Sequence, residues 1–440
     1  MGFLRKSNSW PITTLGKLFK IKHGYAFKGE FFSTVGQYIL LTPGNFLPDG
    51  GIKLKGEKEK YYIGQFPKEF LLSKGDLLIV MTDLTQAATI LGSPAFIPKN
   101  NLFLHNQRLG KIYNISSSVD VRFLYFLLNT SYVREQIKGS ATGATVRHTA
   151  PERIYKVKAA LPPLPIQRKI AAILSAYDDL IENNLRRIKI LEEMAQNLYR
   201  EWFVNFRFPG HENTRFVDSP LGKIPEGCEV SMLGDHLSTL ESGKRPKGGI
   251  QGNCKGIPSV GAENVRKIGR HNYQSEKYIP KSFYEEMKKG KVKHGDVALY
   301  KDGAYIGRST YFRDNFPHPK FCVNEHVFIL RSNGNKLTQN ILYLWLQESS
   351  TIAYIRSTNA NAAQPGINQK GVRGLKIIIA SKEIANDFDE LVEPLLALII
   401  SLAKKNNILR QTRDLLLPKL ISGEVDVSEL DIKVPEEAVS

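Results

Sequence analysis

The sequence has few cysteines and no long apolar run. Its three cysteines, Cys228, Cys254 and Cys322, lack the spacing of metal ligands, so we expect free thiols in a reducing compartment. The most apolar stretch, residues 395–403, is much shorter than the roughly 20 residues that a membrane-spanning helix needs. Residues 1–10 are polar and basic, unlike a secretory signal. These absences predict a cytoplasmic protein.

Sequence motifs of the common catalytic sites are also absent. There is no glycine-rich Walker loop for nucleotide hydrolysis, no Gly-x-Ser-x-Gly and no His-Glu-x-x-His. Residues 161–164 (LPPL) lack the amide or carboxylate of an adenine-methyltransferase motif. The nine histidines are scattered, and none forms a ligand pair with a cysteine. We therefore predict neither a catalytic residue nor a metal site in this chain.

Two acidic residues occupy matching positions in the two halves of the chain. Asp76 and Asp296 each follow a glycine and precede an apolar strand. Turn chemistry explains an aspartate there, because its carboxylate accepts hydrogen bonds from nearby backbone N–H groups. A catalytic or metal-holding carboxylate is the alternative, and the turn is the favoured interpretation.

The sequence does contain a long heptad pattern at residues 166–202, directly after a proline cluster at 161–165. Apolar positions alternate at spacings of four and three, which is the repeat of a coiled-coil helix, and proline fits the first turn of such a helix. A second pattern of the same kind runs over residues 388–420. The predicted seam residues are Ile170, Leu174, Tyr177, Ile181, Ile188, Leu191, Leu198, Phe388, Val392, Leu395, Ile399, Leu402, Leu409 and Leu416.

The two heptad patterns lie a constant 218 positions apart, as Ile170 and Phe388 illustrate. Segments outside the helices keep nearly the same offset, so we infer an internal duplication, with two unrelated amphipathic helices as the alternative. Asn184 and Asn406 occupy seam positions, where an asparagine fixes helix register. Pro394 lies well inside the second helix and predicts a kink or a break there.

The net charge of +18 is concentrated outside the two helices. Residues 1–160 carry +12 and residues 220–380 carry +11, whereas residues 161–219 are neutral and residues 381–440 carry −5. Two basic segments on a neutral or acidic frame predict two modules that bind a polyanion. Nucleic acid is favoured over a membrane because there is no basic amphipathic helix.

Each basic segment contains short apolar runs separated by glycine and proline, which predicts strands and turns. In the first segment we expect strands at 38–41, 71–72, 77–81, 90–91 and 112–113, a helix at 121–136 and a strand at 154–161. In the second we expect a helix at 337–355 and a strand at 375–380. The predicted fold class is α+β, with two mixed α/β domains in tandem duplication, separated by two long coiled-coil spacer helices.

These segments resemble one family, the specificity subunits of Type I restriction-modification systems. The residues that carry the resemblance are 161–171 (LPPLPIQRKIA), 198–203 (LYREWF), 221–227 (LGKIPEG), Gly75 with Asp76, 106–108 (NQR) and 416–424 (LLPKLISGE). Cys228 stands where the family usually has tryptophan, and the second helix lacks the proline cluster. The resemblance implies a target recognition domain at 1–160, a spacer helix at 161–205, a connector at 206–228, a second recognition domain at 229–380, a second spacer helix at 381–424 and a tail at 425–440.

The resemblance further implies that each recognition domain binds one half of a bipartite double-stranded DNA target. The helices would act as a spacer and dock two methyltransferase subunits, which motor-nuclease restriction subunits join. S-adenosylmethionine, ATP and Mg would be bound by those partners, and this chain would hold no cofactor. The helix from residue 170 to residue 202 is about 50 Å long, which corresponds to about one and a half turns of B-DNA.

Base readout needs basic, amide or hydroxyl side chains on loops that enter the major groove. We predict that such residues lie in glycine-rich loops at corresponding places in the two halves, although an ordinary loop position or a phosphate contact is the alternative for each. The candidates in the first half are Lys22, His23, Tyr25, Lys28, Thr82, Asp83, Gln86, Thr145, Arg147 and His148. Those in the second half are Lys244, Arg245, Lys247, Lys301, Asp302, Tyr305, Arg308, Gln364, Asn368 and Gln369.

Two other functions are compatible with parts of the sequence. One is an orphan DNA-binding scaffold without a methyltransferase partner, whose helices only join its halves. The other is a nuclease in which Asp76 or Asp296 holds a metal ion. Neither explains the duplicated helical spacer as well as the specificity subunit does.

Overall fold

The computed structural model describes residues 10–247, 249, 255–358 and 366–434. The chain forms two compact units. The first takes in the chain up to Asp179 together with the chain from Arg410 onward, and the second is Leu180–Leu409. Both boundaries fall inside long helices, so each unit contains a section of each of them.

The first unit begins with a strand-rich segment. Its strands are β1 (Ile12–Thr14), β2 (Lys20–His23), β3 (Phe32–Ser33), β4 (Tyr38–Leu40), β5 (Tyr61–Tyr62), β6 (Leu77–Val80), β7 (Thr82–Asp83), β8 (Pro94–Phe96), β9 (Phe103–Leu104), β10 (Leu109–Tyr113), β11 (Arg147–His148) and β12 (Lys158–Ala160). Its short helices are α1 (Val121–Asn129), α2 (Ser131–Gly139) and α3 (Pro151–Tyr155). Two four-stranded sheets have the orders β2-β10-β6-β8 and β3-β5-β4-β9.

The continuous apolar run of β6 reflects burial on both faces of its sheet. Successive side chains of a strand point to opposite faces. Leu77 and Ile79 accordingly share one core with Phe123 and Leu127 of α1. Leu78 and Val80 lie in a second core, with residues of β4 and β9. The sheet therefore forms the middle layer between the helices and the second sheet.

The predicted helix at 166–202 is α4 (Leu164–Tyr199), which a π-helical turn, Arg200–Val204, continues. It begins inside the proline cluster, with Pro165 in its first turn, where the backbone N–H has no partner within the helix in any case. The first predicted long helix is thus confirmed, and Trp202 lies in the π-helical turn.

The second unit repeats the mixture of strands and short helices. Its strands are β13 (Phe216–Ser219), β14 (Gly222–Pro225), β15 (Glu229–Met232), β16 (Leu237–Ser242), β17 (Ile257–Val260), β18 (Lys277–Ile279), β19 (Asp296–Tyr300), β20 (Ser309–Phe312), β21 (Cys322–Val323), β22 (Val327–Ser332) and β23 (Lys376–Ile379). Its short helices are α5 (Lys281–Glu286), α6 (Gln339–Gln347), α7 (Ser349–Ser357) and α8 (Gln369–Arg373). The sheets have the orders β16-β22-β19-β20 and β18-β17-β21, beside the pairs β13-β14 and β15-β23.

The second long helix is α9 (Lys382–Ser422). The predicted break at Pro394 is wrong, because α9 continues through that residue. Pro394 and Glu390 are both exposed, so water can replace the N–H donor that the carbonyl of Glu390 loses to the proline. A helix tolerates a proline on its solvent side better than one in its packed seam.

Every predicted seam residue of α4 and α9 is buried or half-buried. In the second unit, Ile188 of α4 shares a core with Val392 and Ile399 of α9. In the first unit, Arg413 occupies a seam position and donates hydrogen bonds from its guanidinium to the carboxylate of Asp178. The charge at that seam position is therefore paired rather than left alone.

The duplication is visible in the strand pairing as well as in the order of the elements. In the first unit, Ile12 of β1 pairs with Ala160 of β12. In the second unit, Val230 of β15 pairs with Ile378 of β23, so both partners are shifted by the same 218 positions. The order β2-β10-β6-β8 likewise corresponds to β16-β22-β19-β20. The tandem α+β fold is confirmed.

The structure corrects several predicted element bounds. The helix predicted at 121–136 is two helices, interrupted at Thr130, whose hydroxyl accepts a hydrogen bond from the N–H of Val133 and caps α2. The helix predicted at 337–355 is interrupted at Glu348, whose side chain makes no cap hydrogen bond. Helical periodicity continued across both interruptions, so the pattern alone did not reveal them.

Three predicted strands also differ from the structure. The strand expected at 154–161 is reduced to β12, because Pro151 begins the short helix α3 and takes Ile154 into it. Residues 90–91 lie in a turn, and Leu71 forms only an isolated bridge with Leu104. The predicted connector at 206–228 contains the hairpin β13-β14.

Cys228 and Cys322 are free thiols, as predicted, and Cys254 lies outside the described residues. Burial raises the pKa of both described thiols, that of Cys322 to about 11. No helix within the described ranges combines the length and the apolar character needed to cross a membrane.

Candidate nucleic-acid interface

Three connections of the first unit meet at one end of the sheet β2-β10-β6-β8. Strand β10 is antiparallel to both neighbours, and its first residues pair with the last residues of β2 and β6. The chain that leaves β2, the chain that leaves β6 and the chain that enters β10 must therefore lie together. We call residues 24–28, 81–86 and 105–108 the first loop cluster.

Backbone hydrogen bonds hold the first loop cluster together. The N–H of Tyr25 donates to the carbonyl of His105 at 2.9 Å, and that of Gln107 donates to Tyr25 at 3.0 Å. The N–H of Met81 donates to the carbonyl of Arg108, also at 3.0 Å. The side chains of Gln107 and Arg108 remain exposed between the two neighbouring loops.

A small two-stranded sheet adds a fourth segment. The pair β7-β11 brings Thr82 opposite His148 and Asp83 opposite Arg147, with 3.0 Å between Oγ1 of Thr82 and Nδ1 of His148. The two predicted loops at 82–86 and 145–148 are thus neighbours, although more than 50 residues separate them in the sequence. Thr145 is exposed at the tip of this segment.

Two further candidate side chains in these loops have partners within the protein. Asp83 is buried, and its carboxylate accepts hydrogen bonds from the backbone N–H groups of Thr85 and Ile90, at 2.8 and 2.9 Å. The guanidinium of Arg147 donates to the carbonyl of Lys138 at 3.1 Å and so caps the end of α2. The structure gives both residues a role in shaping their loops.

The other first-half candidates differ in exposure. The side chain of Tyr25 packs against Phe27 and Phe70, with ring centroids 5.1 and 5.3 Å apart. Lys22 pairs with Glu69 at 2.6 Å. His23, Lys28, Gln86 and His148 are exposed.

The second unit presents the same arrangement. Strand β22 is antiparallel to β16 and β19, and its first residues pair with the last residues of both strands. The chain that leaves β16, the chain that leaves β19 and the chain that enters β22 therefore meet. We call residues 243–247, 301–308 and 324–326 the second loop cluster. The N–H of Ile367 donates to the carbonyl of Lys301 at 2.9 Å, so residues 366–369 lie beside the second loop cluster. In the first unit, the N–H of Thr149 donates to the carbonyl of Met81 in the same way.

A chain of charged side chains crosses the second loop cluster. Nε of Arg245 lies 3.0 Å from the carboxylate of Glu325. Nε2 of His326 lies 3.2 Å from the same carboxylate, and its Nδ1 lies 2.7 Å from Asp302. Each of these four side chains is about one-third exposed, so the network is open to a ligand from solvent.

The remaining second-half candidates lie around this network. The guanidinium of Arg308 stacks over the ring of Tyr305, 3.8 Å from its centroid, and Nζ of Lys301 lies over Phe328. Lys244, Lys247 and Gln369 are exposed. Asn368 caps α8 by accepting a hydrogen bond from the N–H of Gly371 at 2.8 Å. Gln364 lies outside the described residues.

The chain is similar to known proteins of one kind. Residues 8–193 match the family model of the Type I restriction modification DNA specificity domain. The Type I restriction enzyme MjaIX specificity subunit of Methanocaldococcus jannaschii is 28% identical over 308 residues, which cover 70% of this chain and 70% of that protein. The EcoBI specificity subunit of Escherichia coli is 23% identical over 447 residues, covering 96% of this chain and 88% of that one. The matched domain and these relatives support the assignment of a Type I specificity subunit.

A solved structure is similar to this chain at the level of the fold. The crystal structure of a Type-I restriction-modification system S subunit from M. genitalium has a TM-score of 0.55 to this chain at 17% identity. The match covers 95% of this chain and 98% of that chain. The likeness therefore extends over nearly the whole of both proteins.

The residues predicted to contact DNA do not include the loop that enters the central strand of each sheet. Gln107 and Arg108 in the first loop cluster, and Glu325 and His326 in the second, occupy that loop. The available signal was the pair Asn106 and Asn324, which match at the 218-residue offset. The two loops thus occupy corresponding positions in the sequence, but none of their residues is among the predicted candidates.

Asp76 and Asp296 lie at the opposite end of the same sheets, where β6 and β19 begin. Asp76 accepts a hydrogen bond from the N–H of Ser73 at 2.9 Å and pairs with Lys111 at 2.8 Å. Asp296 accepts from the N–H of Lys293 at 2.7 Å and pairs with Arg331. Burial raises the pKa of Asp296, although Arg331 opposes that effect. Both residues thus close a turn and neutralise a cation on the adjacent strand, as the turn interpretation predicts.

Proposed function

We propose that this Type I specificity subunit is the DNA sequence-recognition subunit of a restriction-modification complex and that it binds a bipartite double-stranded target. Each loop cluster would read one half of that target. The observation that carries the proposal is the repeated arrangement of three loops at one end of a four-stranded sheet. Two similar surfaces with different side chains are what recognition of two different half-sites requires.

Exposed residues of the two clusters have the chemistry for base and phosphate contacts. Arginine and lysine bind guanine bidentately or contact phosphate, and glutamine binds adenine. In the first cluster these are Lys28, Gln86, Gln107 and Arg108. In the second they are Lys244, Arg245, Lys247 and Arg308. The basic charge of residues 1–160 and 220–380 supplies the attraction for DNA.

We further propose that α4 and α9 act as the spacer and dock two methyltransferase subunits, which restriction subunits join. Exposed apolar side chains outside the seam support this, because a surface helix seldom keeps several of them without a partner. They are Leu180, Leu185, Ile190 and Met194 on α4, and Leu391, Leu398, Ile408 and Leu415 on α9. The partners would bind S-adenosylmethionine, ATP and Mg, and this chain would act in the cytoplasm without catalysis of its own.

The deciding experiment is sequencing of methylated adenines in DNA from cells that express this chain with its methyltransferase partner. We expect a split motif with a gap of constant length. Methylation without a split motif would contradict the proposal. Absence of both methylation and a stable complex with the methyltransferase would favour the orphan scaffold.

A further inference from the structure

Among the residues that the structure describes, one group of histidine and acidic side chains brings three metal-type ligand atoms together. It consists of His271, Glu276 and His318, whose ligand atoms all lie within 4.8 Å of one another. Nε2 of His271 lies 2.5 Å from Oε1 of Glu276, and Nε2 of His318 contacts the same oxygen. Two imidazoles therefore converge on one carboxylate oxygen.

The group connects two loops of the second unit, neither of which belongs to the second loop cluster. His271 precedes a short 3-10 helix, Tyr273–Ser275, and Glu276 follows it directly before β18. His318 lies on the connection between β20 and β21. Strands β18 and β21 flank β17 in one three-stranded sheet, so the group ties together the approaches to both outer strands.

A further side chain orients the carboxylate. The hydroxyl of Tyr278 donates a hydrogen bond to Oε2 of Glu276 at 2.5 Å, which leaves Oε1 for the two imidazoles. Such an outer partner is typical of metal sites, where it fixes the orientation of the ligand. Burial opposes ionisation of Glu276, but the hydrogen bonds from His271, His318 and Tyr278 outweigh it and hold the pKa of this carboxyl far below its ordinary value.

Burial and access fit a bound cation. The side chains of His271 and Glu276 are 2% and 5% exposed, and that of His318 is 26% exposed. Two ligands are thus shielded from water, while the third faces an entry path.

We propose that His271, Glu276 and His318 form a binding site for a divalent transition-metal ion of the zinc type. Two imidazole nitrogens and one carboxylate oxygen are a ligand set that such ions take, with water in the fourth position. Ligands about 2.0–2.1 Å from a tetrahedral ion are about 3.3 Å apart, so each imidazole would move slightly away from its present hydrogen bond to Glu276. Each neutral imidazole would then carry its proton on Nδ1 and present the lone pair of Nε2 to the ion.

Such an ion would cross-link the two loops and stabilise the second unit. This role is independent of DNA recognition, because the ligands lie outside the second loop cluster. The site was not predictable from the sequence pattern, since 47 positions separate His271 from His318.

The test uses the full-length, tag-free chain, stripped with EDTA and then dialysed against a small excess of ZnCl2. We expect about one tightly held zinc per chain by mass spectrometry of the metal content, and a melting temperature that rises with zinc and falls again with EDTA. The His318→Ala variant should bind zinc at least about tenfold more weakly, and Tyr278→Phe should weaken it less. His294→Ala is the matched control, because His294 is an exposed histidine of the same unit outside the group, and it should bind zinc like the original chain.

The proposal is overturned if the stripped chain takes up no zinc and its melting temperature does not respond. It is equally overturned if His318→Ala and His294→Ala bind zinc alike, because the ion would then sit elsewhere. The measurements on the unaltered chain stand even if a variant folds poorly. None of them depends on DNA or a methyltransferase, so failure here leaves the proposed function untouched.

Discussion

In the second unit, the side-chain amide of Asn184 on α4 donates a hydrogen bond to the amide oxygen of Asn406 on α9 at 2.9 Å. Asn406 in turn donates to the carbonyl of Ile181 at 3.4 Å. Both asparagines are buried in a seam that is otherwise mostly apolar. Both hydrogen bonds join α4 to α9, so this pair fixes the alignment of the two helices in this unit.

Replacing one asparagine should cost more than replacing both. In Asn406→Leu the buried amide of Asn184 loses its acceptor, and we expect a loss of about 1–3 kcal/mol in the free energy of unfolding. The double variant Asn184→Leu/Asn406→Leu removes both polar groups and should recover most of that loss. Urea unfolding of the four proteins in this cycle measures the coupling. Additive losses would show that the two amides do not interact.

Arg245→Ala should relax recognition of one half-site only. Its guanidinium lies in the second loop cluster beside Glu325, and loss of a bidentate base contact costs about 1–3 kcal/mol of discrimination. Methylation of a library with randomised half-sites measures this. Lys336→Ala is the matched control, because Lys336 is an exposed cation of the same unit that pairs with Glu229 instead. Equal weakening at all sequences, with a reduced salt dependence, would identify Arg245 as a phosphate contact.

Arg147→Ala should act through the shape of the first unit. The guanidinium of Arg147 donates to the carbonyls of Lys138 and Ala141 at the end of α2, so the variant loses these charge-assisted hydrogen bonds. We expect a loss of about 1–2 kcal/mol in stability together with weaker binding of the first half-site. Thermal melting and DNA binding of the variant measure the two effects. A variant of unchanged stability that still loses first-half-site specificity would instead show a direct base contact.

The stability of the first unit should fall between pH 6.5 and pH 4 because of His105. Burial lowers the pKa of His105 from 6.5 to about 4, and its Nε2–H donates to the carbonyl of Leu109 at 2.9 Å. Below pH 6.5 the unfolded chain binds a proton that the folded chain rejects, so stability declines as the pH falls and the loss is complete below pH 4. We expect His105 to account for up to about 3 kcal/mol of that decline. In His105→Gln the pH dependence of urea unfolding should be correspondingly flatter, and parallel curves for the two proteins would rule this out.

Lengthening the long helices should change the gap in the recognised sequence but neither half-site. Seven residues added to both α4 and α9 keep the heptad phase and extend each helix by about 10 Å, which matches about three base pairs. We expect the gap between methylated half-sites to grow by about three base pairs. Insertion of four residues in α4 alone is the control, because it breaks the seam and should abolish activity. An unchanged gap in the matched variant would refute the spacer role of the helices.

The parts of the fold that followed from the sequence are those with a regular period or a repeated offset. The seam of α4 and the 218-residue offset predicted two long helices and a duplicated α+β frame, because periodicity is a property of the chain alone. The interruptions at Thr130 and Glu348 were not predictable from that periodicity. They depend on caps and on packing against a sheet that the sequence does not display.

The candidate site was predictable only in part for a similar reason. The sequence indicated the loops around Thr82 and Arg245, but not that the loop of Arg108 lies between two of them. That neighbourhood arises from the antiparallel pairing of β10 with β2 and β6. Residue type also did not predict which polar side chains are exposed. Asp83 is buried and holds a turn, whereas Gln86, three residues later, is exposed.

The composition of the first unit has a consequence for synthesis of the chain. Its core includes Leu420, Ile421 and Val427 beside Leu15 and Leu18, and Gly423 lies against the ring of Trp10. A ribosome therefore releases the whole of the second unit before it makes the residues that complete the first. The unit that is translated first is the last to finish folding, and its N-terminal segment must stay unaggregated until the end of translation. A messenger cut short after residue 409 would yield a second unit with every residue in place and a first unit without its last packing layer.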